Sequence, residues 1–360
     1  MISEPPLERW ATWRELNAQP AIWRDWAKDF DLKAARNWVK SVSFDEVWFC
    51  GAGTSAYIGE IIVAGLEGAG SIPMRAVPTT DIVARPDKFL RNRNPLVVNF
   101  GRSGNSTETL GILDALDVLA PSAPRLNITC NPQGTLATRD TTGPQHVVVL
   151  PEITHDAGFA MTSSFSTMLL TALLVFDPET DPEQMSATAD ILKDVLGQFH
   201  SYAAQTQIAD RIVFVGSGAM TYAARESALK VMELTAGKVP ALWDSTLGFR
   251  HGPKSFVTDG TEVLVLTSGE PHAALYDQDL IEELRIQFPQ ARVTSIGPGG
   301  DIDFAIPFGD AWAAPVAVAF SQVLGVLWAD NLNLNVDNPF QGLSTLSRVV
   351  SGVRLHEVRK

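Results

Sequence analysis

Val47-Trp-Phe-Cys-Gly-Ala-Gly-Thr-Ser55 decides the fold. An apolar run ends in a Gly-x-Gly turn that opens onto a helical stretch, the signature of a buried strand feeding a helix. The pattern returns as Val213-Phe-Val-Gly-Ser-Gly218, with Gly216 lying 165 positions after Gly51 (216 − 51 = 165). The next apolar run, Leu96 to Phe100, leads to Ser103-Gly104. Its counterpart, Val263 to Thr267, leads to Ser268-Gly269 at the same spacing (268 − 103 = 165). A third pair, Arg125 to Cys130 and Arg292 to Ile296, follows at about that offset. Three matched strand ends predict a duplicated α/β unit. Between them lie helical stretches at Thr107–Leu119, Ser163–Phe176, Tyr222–Leu234 and Leu275–Gln287. Such alternation predicts parallel sheets covered by helices on both faces, a three-layer sandwich of the flavodoxin-like or Rossmann-like kind. Ligands in these folds sit at the C-terminal ends of strands, which directs attention to 51–55, 101–107, 216–221 and 267–272.

Comparing the two copies is more informative than either alone. After the first turn come Thr54 and Ser55; the second copy has Ala219 and Met220 there. After the second strand the first copy has Ser103-Gly-Asn-Ser-Thr107, and the second has Ser268-Gly-Glu-Pro-His272. Clustered hydroxyls, free backbone N–H groups and a following helix N-terminus suit an anion. A phosphate fits without any lysine. Helix capping alone would explain one hydroxyl per loop, not four or five over two loops. A dinucleotide site is disfavoured, because Gly51-x-Gly53-x-x-Ala56 is followed by a run, Ile72-Pro-Met-Arg-Ala-Val77, with no terminal acid.

Composition bounds the partners. At 360 residues, two domains are the first expectation. The hydrophobic fraction of 45% and charged fraction of 19% fit a globular chain rather than a disordered one. A net charge of −13 argues against a nucleic-acid or anionic-membrane partner. The two cysteines, Cys50 and Cys130, have no metal-ligand spacing, and Met1 to Arg9 has no apolar leader. Both point to a reduced, cytoplasmic protein without disulfides. The scattered His146, His155, His200, His272 and His356 offer no HxxxH or HExxH, so no metal and no cofactor is expected. The longest apolar stretch, Ala313 to Ala329, reads as a buried helix.

Five of the nine tryptophans lie near the start: Trp10, Trp13, Trp23, Trp26 and Trp38. Their i, i+3 pairs predict two amphipathic helices packed on the body, with Pro20 in the first turn of the second. In the helix after the second Gly-x-Gly, Glu226, Lys230 and Glu233 form a narrow polar stripe. Periodicity alone makes it a solvated ladder.

Gly51-Ala-Gly-Thr-Ser55, Gly101-Arg-Ser-Gly-Asn-Ser106 and the duplicated layout resemble the sugar isomerase (SIS) domain family. Trp13-Arg-Glu-Leu-Asn-Ala-Gln-Pro20, Ala160-Met-Thr-Ser-Ser-Phe165 and Phe249-Arg-His-Gly-Pro253 resemble its AgaS-type isomerase/deaminase branch. The chain is also similar to the isomerase half of glucosamine-6-phosphate synthase. The resemblance implies a helical segment at 1–40, a phosphate-binding SIS domain at 41–195, a catalytic SIS domain at 196–332 and a tail at 333–360 over the active site. It implies that Gly53, Thr54, Ser55, Arg102, Ser103, Gly104, Asn105 and Ser106 surround a sugar phosphate. Thr162 and Ser163 are candidate sugar contacts. It assigns Glu233 as the proton shuttle and His251 as the ring opener, reaching the site of a neighbouring subunit in a homodimer. Arg348, in Leu346-Ser-Arg-Val-Val350, stands near the place of the synthase's C-terminal lysine. Arginine exchanges protons poorly, so charge stabilisation is its expected role.

The implied reaction takes an amino-sugar 6-phosphate, galactosamine 6-phosphate or glucosamine 6-phosphate, to a ketose 6-phosphate plus ammonia. The alternatives are a tagatose-6-phosphate-type isomerisation without deamination and a phosphosugar sensor without catalysis. A glutamine-dependent synthase is not expected: residue 2 is Ile rather than a nucleophilic Cys, and no glutaminase sequence is present.

Overall fold

The computed structural model describes residues 7–68, 70, 72–342 and 353–359. Its framework is two parallel sheets. The first contains β1 (Glu46–Cys50), β2 (Met74–Ala76), β3 (Pro95–Gly101), β4 (Arg125–Thr129) and β5 (Gln145–Val149), in the order β2-β1-β3-β4-β5. The second contains β6 (Arg211–Gly216), β7 (Ala241–Ser245), β8 (Thr261–Leu266) and β9 (Arg292–Ile296), in the order β7-β6-β8-β9. Four strands of the first sheet thus repeat the neighbour relations of the second, and β5 extends the first.

The central strands β1, β3, β6 and β8 are largely apolar on both faces because each face is covered. Val47, Phe49, Leu96, Val98 and Phe100 point into a central cluster, and so do Ile212, Phe214, Leu264 and Leu266 of the second sheet. The alternate residues Trp48, Cys50 and Val97 pack outward, as do Val213, Val215, Val263 and Val265. This period of two fixes the register of both sheets. One continuous apolar core therefore lies between the sheets.

That core is filled by helices. From the first half come α1 (Ala11–Asp29), α2 (Leu32–Ser41), α3 (Thr54–Gly65) and α8 (Ser163–Phe176). Shorter helices α4 (Thr79–Ala84), α5 (Pro86–Leu90) and α7 (Thr135–Thr138) accompany α6 (Thr107–Leu119) on the first sheet's periphery. α9 (Pro182–Gln205), α10 (Ala219–Leu234), α11 (Pro271–Gln287) and α12 (Asp310–Asn331) follow. The helices expected at Thr107–Leu119 and Ser163–Phe176 coincide with α6 and α8. The expected boundary between residues 195 and 196 falls inside α9, so no loop separates the halves there. α12 is long and apolar enough to cross a membrane by length and composition, yet its apolar window is wholly buried between α1, α3, α8, α9 and α10. Cys50 and Cys130 are buried and unpaired.

The N-terminal expectation needs correction. Pro20 does not start a second helix; it lies inside α1, so both tryptophan pairs ride on one helix. Proline cannot donate to the Leu16 carbonyl four residues back. The Gln19 side-chain amide donates to that carbonyl instead, at 3.1 Å, and to Gln322 Oε1 of α12 at 2.8 Å. The helix is then fastened by indole N–H groups: Trp23 Nε1 donates to Ser166 Oγ and Trp26 Nε1 to Thr171 Oγ1, both on α8. Local sequence reads a proline as a start; tertiary partners let it sit mid-helix.

Candidate active site

Both Gly-x-Gly turns adopt one conformation. Gly53 precedes α3 at φ 58° and ψ −131°, and Gly218 precedes α10 at φ 55° and ψ −127°. Positive φ selects glycine. A Cβ on Gly51 would lie 2.4 Å from the Ser55 backbone, and one on Gly216 would lie 2.8 Å from the Met220 backbone. The chemistry carried by the two turns nevertheless differs.

In the first half, Thr54 and Ser55 are buried at the start of α3. Among the described residues the Ser55 hydroxyl has only a weak partner, the Met161 thioether at 3.9 Å. In the β3–α6 loop, Gly104 takes φ 65° and Ser106 caps α6, its Oγ accepting from Thr109 N at 3.1 Å. Asn105 is fixed by its Oδ1, which accepts from Thr135 N at 2.8 Å. Ser103 Oγ accepts from Asn105 N at 3.3 Å, which leaves its own proton available. The backbone N–H groups of Arg102, Ser103, Gly104 and Ser106 have no protein acceptor among the described residues. These open donors lie at the N-terminus of a 13-residue helix, an arrangement whose chemistry suits an anion cradle. The Arg102 guanidinium turns away from it and donates to the carbonyls of Gly158 at 3.0 Å and Phe159 at 3.3 Å.

Thr54 faces the other way. Its hydroxyl donates to Glu226 Oε1 at 3.1 Å and accepts from Lys230 Nζ at 3.1 Å. Lys230 Nζ also lies 3.2 Å from Glu226 Oε1 and 2.7 Å from Glu233 Oε2. The polar stripe on α10 is therefore not a solvated ladder. Glu226 and Lys230 are fully buried against α3, while Glu233 keeps 18% of its side chain exposed at the open end. Burial pushes the Glu226 carboxyl up to about 7; Lys230 opposes the rise and Glu233 adds to it. Burial alone would lower the Lys230 ammonium, but Glu226 and Glu233 together outweigh it and raise it. Glu226 Oε2 is buried with no hydrogen-bond partner among the described residues. The ladder thus holds one fixed cation between two carboxylates, only one of which reaches the surface.

Thr162 and Ser163 do not face a cleft. Both are fully buried and donate to Asp156: Thr162 Oγ1 to Oδ1 at 2.9 Å and Ser163 Oγ to Oδ1 at 2.5 Å. Ser164 joins through Oγ and N, so Asp156 closes the N-terminus of α8. The capping role wins over sugar contact because an internal carboxylate already occupies the donors. Arg348 lies outside the described residues.

His251 ends a short 3-10 turn, Gly248–His251, and is exposed. Its neighbours are anchored: Arg250 Nε donates to Glu283 Oε2 at 2.7 Å, and Lys254 pairs with the same carboxylate. No hydrogen bond among the described residues links His251 to Glu233 or to the first-half loops. Exposed Leu247 lies four residues before it in sequence, and exposed Met232 lies beside Glu233.

The second half closes its own strand ends. Asp277 of α11, fully buried, accepts from Ser217 Oγ at 2.7 Å, Thr246 Oγ1 at 2.5 Å and Ser268 N at 2.9 Å. Asp310 accepts from Gly269 N at 2.7 Å and from Ser268 Oγ at 2.5 Å. Burial pushes the Asp310 carboxyl up, against the bonds from Ser268 and Gly269. Two built-in carboxylates stand where the first half leaves donors open.

Sequence reasoning placed Asp156 as a possible pocket residue rather than as the cap of α8, and it missed Asp277 and the burial of Glu226 and Lys230. A charged stripe on an otherwise apolar helix was the available signal for the last. Nothing local marks Asp277, which nonetheless decides the fate of the second set of loops. Among the described residues no group of three or more His, Cys, Asp or Glu could hold a metal ion.

Comparison with known proteins adds the following. No family model matches the chain. D-galactosamine-6-phosphate deaminase AgaS of Escherichia coli is 37% identical over 375 aligned residues, covering 98% of this chain and 97% of the relative. The protein of the same name from Shewanella sp. (strain ANA-3) is 34% identical, covering 96% and 91%. Among solved structures, the tagatose-6-phosphate ketose/aldose isomerase of Escherichia coli superposes with a TM-score of 0.86 at 34% identity, covering 99% of both chains.

Proposed function

This chain belongs to the AgaS-type family of SIS-domain phosphosugar isomerases and deaminases, and we propose that it converts an amino-sugar 6-phosphate, galactosamine 6-phosphate foremost, to a ketose 6-phosphate and ammonia. The observation that carries the reading is the buried Glu226–Lys230–Glu233 ladder, whose cation touches Thr54 at the edge of the open anion cradle. It joins an acid–base group of one half to a phosphate-sized donor set of the other. Such a juxtaposition has no structural necessity in a helix that could have been apolar throughout.

The phosphate is received by the hydroxyls of Ser55 and Ser103 and by the amides of 102–104 and 106, with Ser106 and Asn105 fixing the loop. The anion is matched by donors rather than by lysines, which agrees with a chain at −13. His251 transfers a proton from O1 to the ring oxygen and opens the sugar. Glu233 removes the proton from C2 and returns it to C1, while Lys230 fixes its carboxylate. With an amino group on C2 the result is a ketimine; water adds at C2 and ammonia leaves, giving the ketose. With a hydroxyl on C2 the same transfer gives the ketose directly. That second outcome is favoured by the likeness to a protein named tagatose-6-phosphate ketose/aldose isomerase.

The exposure of His251, with no hydrogen bond to Glu233 among the described residues, supports a site completed by a second copy, with Met232 and Leu247 as the apolar margin of the contact. The catalytic pair would then be Glu233 of one protomer and His251 of its partner.

The test is ammonia release and ketose formation over a panel of galactosamine 6-phosphate, glucosamine 6-phosphate and tagatose 6-phosphate. Ammonia from an amino-sugar phosphate supports deamination; ketose–aldose exchange without ammonia leaves isomerisation alone; binding without turnover makes the protein a sensor. Glu233→Gln should abolish turnover while the phosphosugar still protects the fold against heat. Coexpressed Glu233→Gln and His251→Ala chains should regain activity that neither has alone, through mixed dimers with one intact site.

A further inference from the structure

The Trp-rich N-terminal helix has no part in the reaction just described, yet one of its side chains reaches the binding region. Glu15 of α1 lies beside the irregular segment 155–162. Its Oε1 accepts from Ala157 N at 2.6 Å and from Gly158 N at 3.4 Å. The carbonyls of Gly158 and Phe159 hold the Arg102 guanidinium, and Met161 touches the Ser55 hydroxyl. Segment 155–162 therefore contacts both anion-binding turns on one side and Glu15 on the other.

The back of this segment is tightly built. A Cβ on Gly158 would lie 2.2 Å from Thr12 Oγ1, so α1 presses against the segment's backbone. Asp337 caps α1, accepting from Ala11 N at 2.9 Å and Thr12 N at 2.8 Å, and its carbonyl accepts from Phe159 N at 2.9 Å. Within this clamp Glu15 is the unusual member. Its second oxygen, Oε2, is buried with no hydrogen-bond partner among the described residues. Hydrophobic packing would have fastened α1 without placing a carboxylate there.

We propose that Glu15 is a positioning residue for the phosphate end of the site: it holds segment 155–162 by two amides, and that segment in turn sets Arg102 and Met161 beside the β3–α6 and β1–α3 turns. The inference rests on the phosphate-binding reading of those turns. Burial, with Asp156 and Asp337 adding and the Ala157 and Gly158 amides opposing, pushes the Glu15 carboxyl up to about 7. A group kept under such strain is held for its position, because an apolar side chain would be cheaper in free energy.

A residue that acts through the phosphate contacts alters uniform binding and leaves the chemical step alone. Glu15→Ala should raise KM for the phosphosugar and Kd for inorganic phosphate about tenfold, with kcat within about twofold, the tenfold being about 1.4 kcal/mol. Glu15→Gln keeps an acceptor oxygen for the amides and should restore most of the affinity. Gly158→Ala, whose Cβ would meet Thr12 Oγ1 at 2.2 Å and Glu15 Oε2 at 3.2 Å, lifts the same segment off α1 and should raise KM in the same direction. The measurements are steady-state kinetics and phosphate titration by calorimetry on the full chain, with melting temperature recorded for each variant. Unchanged KM and Kd in Glu15→Ala, while the wild type binds normally, overturns the proposal alone. So does a loss of kcat in step with melting temperature that Glu15→Gln does not rescue. A wild type that binds neither phosphosugar nor phosphate overturns the phosphate reading, and this inference with it.

Discussion

The two halves start from one backbone design and end with opposite electrostatics. Gly53 and Gly218 share their dihedrals, and β1 and β6 hold the same place in their sheets. In the first half, the strand-end donors around Ser55 and Ser103 stay open. In the second, Asp277 and Asp310 close them from within. At the position equivalent to Asp277, nine residues after the loop serine in each half, the first has buried Ile112. An aliphatic residue there leaves the donors for a ligand; a carboxylate supplies the anion permanently. The second half contributes instead the α10 ladder, pointing its cation at Thr54 of the first. The two halves thus share a turn geometry, and a few side chains leave the donors of one open and close those of the other.

The largest expected effect comes from cutting the tie between the halves. Lys230→Ala leaves Glu226 buried and uncompensated, and breaking such a pair costs about 3–5 kcal/mol. Guanidinium unfolding should show that loss and turnover should vanish; a change under about 1 kcal/mol would mean the ladder is not the buried network described. Next is the plug. Asp277→Ala strands the donors of Ser217, Thr246 and Ser268, at about 1–3 kcal/mol for an unsatisfied buried group. Added formate or phosphate should recover stability in this variant more than in wild type, since the second cradle is then open. Equal effects on both would show that Asp277 does not stand in an anion's place.

A smaller effect separates the loops by function. Ser103→Ala should raise KM about tenfold, as expected for a lost hydrogen bond to a charged group of about 1.5–3 kcal/mol. Ser268→Ala, its counterpart, should leave KM unaltered while lowering the melting temperature. A KM shift of equal size in both would dissolve the comparison. The smallest effect is in pH. Glu15 and Glu226 both titrate near 7 in the folded chain, above an unfolded value of 4.5. Between those values the native state binds more protons than the unfolded chain, so stability falls as pH rises from about 4.5 to 7. Glu15→Gln and Glu226→Gln should each flatten that slope in denaturant titrations; an unchanged slope in both would place the proton uptake elsewhere.

Much of this was legible from residues alone, and the reasons are local. Val47–Cys50 and Val213–Gly216 are apolar on both faces, so their burial as parallel strands follows without tertiary knowledge. Gly51, Gly53, Gly216 and Gly218 announce the turns because no other residue fits. Ser106 and Thr107 mark the start of α6. The offset between copies needed only counting. Pro20 misled for the opposite reason: its compatibility with α1 depends on Gln19, whose amide replaces the missing backbone donor and meets Gln322 across the molecule.

The sequence by itself determined the repeated α/β unit, the strand and helix positions and the loops where an anion can bind, because each follows from short-range pattern and backbone sterics. Only the tertiary structure decided which hydroxyls remain free. Thr54 is drawn to Glu226 and Lys230, Thr162 and Ser163 to Asp156, and Ser217 and Ser268 to Asp277 and Asp310. A buried donor takes whatever acceptor the fold brings near, since leaving it unpaired away from water is costly. That choice is made by partners up to 176 residues away in the chain, as for Thr54 and Lys230, and no local pattern records it.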